Sequence, residues 1–334
     1  MKAGRLNTLL VKTFLLSSMI LMPFTQATAD SDASFQFYAI SDFPYSADQE
    51  ILLTEEITPA IRRARSPFVV HMGDLKSGGA SCNTELLQKR AAQIHKLHDT
   101  AVFYTPGDNE WTDCDRDKLT NPASELEKLE EIRTLFFHNR PPFPNHLSVM
   151  QQPLYPENKI WHYNRTMFAT LHMVGTNNGR AQILLDNVNF ALSQVKARDV
   201  ANRFWLETVF TQANSQNADA IVIAFQADIS KARHSGKCTD EEPIACDGHA
   251  GFKEQVRSLA ADYAKPVLLL HGDTSDYCMD KEFGGNRAPK LWRFNSAGDF
   301  KILDGVKITV QPDNPAEPFT MSTILGDLRP DDGC

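Results

Sequence analysis

Phe68-Val69-Val70-His71-Met72-Gly73-Asp74 is a short apolar run that stops on a glycine and an acid. A run of this length, rich in aromatic and β-branched residues and bounded by turn formers, predicts a buried strand at 68–70 with Asp74 just past its carboxyl end. The same punctuation occurs on either side. Phe35–Ile40 leads into Ser41-Asp42, and the strand expected at 101–104 leads into Pro106-Gly107-Asp108-Asn109-Glu110. Asp74 lies 32 residues after Asp42, and Asp108 lies 34 residues after Asp74, so each gap has room for one helix. Those helices are expected over 83–98 and over 47–65, where Leu53, Ile57, Ile61 and Ala64 share one side and Pro59 should kink or split the element.

The β-α-β-α-β rhythm predicts a sheet flanked by helices. It continues with a charged helix over 122–138, a strand over 167–174, a helix over 202–213, a strand over 220–225, a helix over 251–263 and a strand over 266–270. From Leu291 the segments 291–295, 300–303, 306–311 and 318–325 read as strands without intervening helices, so a second, more antiparallel sheet is expected there.

Among 334 residues, Lys plus Arg number 34 and Asp plus Glu 42, a formal charge of −8. That balance argues against a nucleic-acid partner, which demands a basic surplus to neutralise phosphates. Lys2, Arg5 and Lys12 precede the apolar run 14–24, and Ala27-Thr28-Ala29 follows it. A basic start, a run too short to span a bilayer and a small-x-small site predict a secretory leader over 1–29, with no stable membrane insertion once it is removed. Its loss leaves 31 bases against 42 acids, and one domain is expected over 30–334, because no linker or repeat interrupts it. Export, to a periplasm or outside the cell, gives an even cysteine count meaning. Local pairing predicts Cys82–Cys114, Cys238–Cys246 and Cys278–Cys334, one of fifteen connectivities for six cysteines. A cysteine zinc site is disfavoured by the absence of any Cys-x-x-Cys pair.

Residues just beyond the carboxyl ends of neighbouring strands in an open α/β sheet converge on one crevice. Asp42, Asp74 and Asp108 meet that rule, and Phe225-Gln226-Ala227-Asp228 and Leu270-His271-Gly272-Asp273-Thr274-Ser275 follow two later strands. Carboxylates sharing a crevice repel one another unless a cation joins them. No phosphate-binding Gly-x-x-x-x-Gly-Lys loop, Gly-x-Ser-x-Gly elbow or Gly-x-Gly-x-x-Gly fingerprint is present. The corresponding ATPases, α/β-hydrolases and dinucleotide enzymes lose support.

The order and strand context of these clusters over residues 35–280 resemble the calcineurin-like metallophosphoesterase family. That resemblance implies two stacked mixed β-sheets flanked by helices, a four-layer αββα arrangement, and phosphoester hydrolysis with two bridged metal ions. Residue by residue, Asp42 matches the family's first acid, with Pro44 where a histidine is usual, and Asp74 matches the bridging acid. Asp108 stands at the ligand asparagine, Asn109 at the histidine that protonates the leaving group, and Gln226 at a lone ligand histidine. Asp273 and Ser275 replace the last two histidines.

Every family histidine is thus absent, and the donors left are oxygens. Asp42, Asp74, Asp108, Gln226 and Asp273 form the expected metal set, suited to magnesium, manganese or calcium rather than zinc, as one well-held ion and at most a weak second. Asn109 is expected to orient phosphate, with His271, His71 and His249 as possible replacements for the missing acid. Lys76, two residues past Asp74, offers a point charge for a phosphate oxygen, and Asn177 and Asn178 in Val174-Gly175-Thr176-Asn177-Asn178 offer substrate contacts. The expected partner is a small phosphorylated substrate. The alternative is a non-catalytic relative that binds a ligand or partner through the same cleft.

Overall fold

In the computed structural model of this chain, residues 1, 34–138, 140–298 and 301–334 are described. The leader expected at 1–29 falls, apart from Met1, outside them, and Ala33–Cys334 forms one compact unit. Its strands are β1 Phe35–Ile40, β2 Val69–His71, β3 Val102–Tyr104, β4 Met150–Gln152, β5 Tyr155–Tyr163, β6 Thr166–Thr170, β7 Ala220–Ala224, β8 Val267–His271, β9 Cys278–Asp280, β10 Leu291–Asn295, β11 Val306–Val310, β12 Phe319–Thr323 and β13 Asp331–Asp332. The helices are α1 Ala47–Leu52, α2 Thr58–Ala64, α3 Thr84–His95, α4 Glu125–Phe136, α5 Gly175–Gly179, α6 Val188–Ser215 and α7 Ala250–Tyr263.

Two mixed sheets result. One has five strands in the order β12-β11-β1-β2-β3, and the other eight in the order β13-β9-β10-β8-β7-β6-β5-β4. Side-chain alternation divides β1 between two cores: Phe37 and Ala39 face the opposite sheet, and Tyr38 and Ile40 face the helices. Between the sheets, Phe37, Phe68, Phe103, Trp161 and Phe168 meet Val222, Leu268 and Phe294. Phe103 stacks on Trp161 with centroids 3.6 Å apart. Burying each such ring contributes about 1.5–3 kcal/mol. α1 to α4 cover the outside of the smaller sheet through Leu53, Ile61, Leu87 and Ile132, and α6 and α7 cover the larger through Leu206, Phe210 and Val256. The layers therefore run helix, sheet, sheet, helix. β7 and β8 are buried at every position, as parallel strands covered on both faces must be.

The helix starts follow from capping. Asn83 Oδ1 accepts Leu86 N–H at 2.8 Å before α3, and Asn187 Oδ1 accepts Phe190 N–H at 3.0 Å before α6. The first helical stretch is divided just before Pro59, as expected of a proline there. A π-turn at Leu53–Ile57 joins α1 to α2, and the proline sits in the first turn of α2, where no intrahelical N–H is required.

The C-terminal strands do not make a sheet of their own, contrary to the expectation from residue 291 onward. β10 adds parallel to β8, whereas β11 pairs antiparallel with β1 and carries β12. Val306, Ile308 and Val310 alternate inward onto the core shared by both sheets, and that face is buried only beside β1. The disulfides pair as local spacing predicts, with Cα–Cα distances of 5.6 Å for Cys82–Cys114, 5.0 Å for Cys238–Cys246 and 5.4 Å for Cys278–Cys334. Among the described residues, no helix is long and apolar enough to cross a membrane.

Candidate active site

Each strand of interest ends in a turn that sends an acid back over the sheet edge. Asp42, Asp74 and Asp273 have φ of 54°, 54° and 74°, the left-handed region that Asp tolerates better than most residues. The turns pack so closely that side chains are excluded between them. A Cβ on Gly73, itself at φ 69°, would lie 2.0 Å from Gly107 N, and one on Gly272 would lie 1.9 Å from Ser41 Oγ and 2.0 Å from Asp42 Oδ2. Glu110 staples two turns together, accepting Gly107 N–H at 2.7 Å, Asp74 N–H at 3.0 Å and the Tyr104 hydroxyl at 2.7 Å.

The outcome is a cleft of 480 Å³ with Asp42, Asp74, Asp108 and Asp273 in its lining. One carboxylate oxygen from each of Asp74, Asp108 and Asp273 lies within 4.8 Å of the other two. Asp42 is the neighbour of this trio: its two oxygens accept Asp273 N–H at 3.1 Å, and its Oδ1 accepts the Tyr45 hydroxyl at 3.4 Å. Burial, and next the Asp108 carboxylate, push Asp74 and Asp273 well above the ordinary carboxylate range. Asp113 also lines the cleft and is raised to about 7, again by burial and then by Asp108. Thr176, in the left-handed turn of α5, approaches Asp108 Oδ2 at 2.8 Å and Asp113 Oδ1 at 3.0 Å.

None of the trio is in an ion pair among the described residues. Converging carboxylates of this kind, two buried and Asp273 half-buried, fit one hard divalent cation, and the cluster offers no nitrogen or sulfur donor that would favour zinc. Gln226 does not join them as an oxygen ligand. Its Oε1 accepts Gly175 N–H at 2.7 Å, so Nε2 faces inward and donates to Asp74 at 3.1 Å, Asp108 at 3.1 Å and Asp273 at 3.0 Å.

Asn109 is in the cleft, with its backbone N–H on Asp74 Oδ1 at 3.2 Å and its Nδ2 on the Tyr45 hydroxyl at 3.1 Å. His271 is turned away. Its Nδ1–H donates to Gly272 O at 2.9 Å, its Nε2 accepts from Arg293 at 3.1 Å, and burial holds its pKa down to about 4. His71 gives Nε2–H to Phe43 O at 3.4 Å and is held down to about 3 by burial. His249 lines the cleft but gives Nε2–H to Val174 O at 3.1 Å.

Lys76 is 1% exposed and gives its ammonium to the Ser77 carbonyl at 3.1 Å, not to the cleft. Asn177 lines the cleft, but its amide is spent tying down the segment beyond β7, through Ile244 O at 2.9 Å and Gly248 N–H at 2.8 Å. Asn178 points instead to Asp199 at 2.8 Å and Arg198 at 3.2 Å. Tyr45, Asp113 and Arg116 line the cleft without having been legible as site residues. They lie three residues beyond Asp42 and five and eight beyond Asp108, where the path of a turn decides what faces inward.

No known family profile and no curated protein matches the chain. Among solved structures it is similar to PhoD, with TM-score 0.51 and 13% identity over 90% of this chain and 74% of that one. It also matches GAP50, titled as the anchor in the inner membrane complex of Plasmodium, with TM-score 0.44 and 11% identity over 88% of this chain and 86% of that one. A third match is the NAD nucleotidase NadN of Haemophilus influenzae, with TM-score 0.39 and 10% identity over 87% of this chain and 52% of that one. The likeness to PhoD concerns the fold, two mixed sheets between helices.

Proposed function

We propose that this chain is an exported, metal-dependent phosphoester hydrolase, a single domain over residues 30–334, that acts on a small phosphorylated molecule. The observation that carries this reading is the meeting of Asp74, Asp108 and Asp273, from turns of both sheets, in a cleft large enough for a substrate. Export is supported by three disulfides, which persist in oxidising compartments.

Asp74, Asp108 and Asp273 would hold a magnesium, manganese or calcium ion, which would supply positive charge for a phosphoryl oxygen and lower the pKa of a water. The chain's own side chains do the placing. Asp42 fixes the Asp273 backbone, and Glu110 fixes that of Asp74, so the acids are held before substrate arrives. Asn109 Nδ2 and the Tyr45 hydroxyl, bonded to each other beside Asp74, are the donors set to orient phosphoryl oxygens. In the overall step a water oxygen bonds to phosphorus, the ester P–O bond breaks, and the departing oxygen takes a proton. His71 and His271 are bonded elsewhere and supply no proton there, so esters with acidic leaving groups, which need least protonation, are turned over fastest.

The test is elemental analysis of the purified chain together with phosphomonoester and phosphodiester assays in magnesium, manganese and calcium, with Asp74→Asn as control. Stoichiometric metal and metal-dependent turnover lost in the variant are expected. Turnover unchanged by Asp74→Asn removes the trio from the chemistry. The second reading, a cleft that binds a ligand without turnover, is favoured by the Gln226 amide, which points two N–H groups into the acids where a ligand histidine is usual. Ligand binding with neither metal nor turnover would establish it.

A further inference from the structure

The lining of the cleft sorts by depth and by charge. Asp42, Asp74 and Asp108 are 2%, 3% and 7% exposed, whereas Lys231, Arg233 and His234, on the segment after β7, are exposed at its mouth. Lys231 is paired with Asp276 at 3.1 Å, and Arg116 with Asp113 at 2.7 Å. Arg233 and His234 have no hydrogen bond or ion pair among the described residues.

Their segment is nevertheless held in place. Cys238–Cys246 closes a loop of sequence separation 8, Asn177 grips Ile244 O and Gly248 N–H, and Arg293 holds Asp228 at 3.2 Å where the segment begins. Two unpaired basic side chains are thereby presented at the mouth of a cleft whose floor is acidic. A cleft of 480 Å³ takes a whole small molecule rather than a lone phosphate.

Resting on the hydrolase reading above, we infer that Arg233 and His234 form a subsite for a second anionic group of the same substrate, a phosphate or a carboxylate remote from the bond that is cut. Arg233 offers a planar fork of donors that matches either group, and His234 adds a second donor. The acidic floor and basic mouth also orient the molecule, because an ester with only one anionic end gains nothing from the mouth.

The test compares three aryl phosphates with near-identical leaving groups: 4-ethylphenyl phosphate, 4-(2-carboxyethyl)phenyl phosphate and 4-(2-phosphonoethyl)phenyl phosphate. Native protein is expected to favour at least one doubly anionic ester over the ethyl compound by about tenfold in kcat/KM, with the advantage shrinking in added salt. The Arg233→Gln/His234→Gln variant, checked for an unchanged thermal midpoint, is expected to bring the ratio close to one. Preference for the carboxylate or the phosphonate arm identifies which anion the subsite takes. A ratio of one in the native protein, or a ratio the variant leaves unaltered, overturns the subsite while hydrolysis stands.

Absence of all turnover would overturn the hydrolase reading instead. The subsite is then decided by calorimetry with 4-ethylbenzylphosphonate and 4-(2-phosphonoethyl)benzylphosphonate. Tighter binding of the second compound that the variant abolishes supports it, and equal binding overturns it.

Discussion

Gln226 Oε1 accepts the backbone N–H of Gly175 at 2.7 Å, and that single bond decides which end of the amide meets the acids. Reversing the amide would set its NH₂ against the Gly175 N–H and its oxygen against three carboxylates. Gly175 also has to be a glycine to sit against the acids, since a Cβ there would lie 2.3 Å from Asp108 Oδ2. In the absence of a cation, the amide is the donor that Asp74, Asp108 and Asp273 share.

Gln226→Leu keeps the volume and removes that donor. In EDTA at pH 7.5 it is expected to lower unfolding free energy by about 2 kcal/mol, because buried acceptors are left without a partner. At pH 5, with the acids more protonated, the loss is expected to be smaller. Urea titration of both proteins at both pH values checks this, and an unshifted midpoint at pH 7.5 would show that the amide does not hold the trio.

Asp74, Asp273 and Asp113 all bind their protons more tightly folded than unfolded, since burial and Asp108 raise each one. Stability from such a group is fully present below its unfolded pKa of about 3.9 and is lost as pH rises through the folded value. Buried neutral histidines such as His71 and His271 work the other way, adding stability as pH rises to about 6.5. The thermal midpoint of the metal-free protein is therefore expected to fall between pH 7 and pH 8.5, where these acids still titrate and the histidines no longer do. Adding magnesium, manganese or calcium at pH 8.5 is expected to reverse the fall, by about 2.7 kcal/mol at a hundred times the dissociation constant. Differential scanning fluorimetry reads both effects, and a midpoint that climbs over that range in EDTA contradicts them.

Asp74→Asn separates function from folding. Turnover is expected to drop on the order of a hundredfold or more through loss of a cation ligand. The metal-free variant is expected to melt higher than native protein at pH 7.5, because one of several mutually repelling buried charges is gone. A variant that melts lower would mean that Asp74 is stabilising as a carboxylate, through the N–H of Asn109 on its Oδ1.

Gly272→Ala places a methyl group 1.9 Å from Ser41 Oγ and 2.0 Å from Asp42 Oδ2. The turn after β8 must then move away from the turn after β1. The expected cost is about 1–3 kcal/mol, with weaker divalent binding because Asp273 is the next residue. Calorimetric titration of manganese into the variant checks the second part, and native affinity would show that the turns yield without disturbing Asp273.

The strand ends were readable because β1, β2 and β3 are short apolar runs punctuated by Ser-Asp or Gly-Asp, and burial on both faces allows little else there. β5 was not readable, since Glu157, Asn158 and Lys159 are buried polar residues whose partners lie elsewhere. Glu157 meets Arg133 at 2.6 Å, and Asn158 meets Asn202 at 2.7 Å. The helix read as 202–213 runs from Val188; its first half exposes Val188, Phe190 and Val200 and buries Arg198, which blurs the apolar period. In the site, the positions of the acids follow from strand order. The direction of Gln226 depends on a glycine 51 residues earlier, and that of His271 on Arg293, relations with no local signature.

Asp74 and Asp108 hang from the five-stranded sheet, whereas Gln226 and Asp273 hang from the eight-stranded one. Between the sheets the layers meet through non-directional packing of rings and aliphatic groups, which resists separation but tolerates sliding, whereas at this end Asp273 N–H on Asp42 and Thr105 on Leu171 O also cross. Whatever bridges the acids, amide or ion, is therefore a fastener across the seam of the sandwich at one end. Removing it leaves the Asp273 N–H on Asp42 as the directional tie that keeps residues 35–110 from sliding against residues 220–275 at that end.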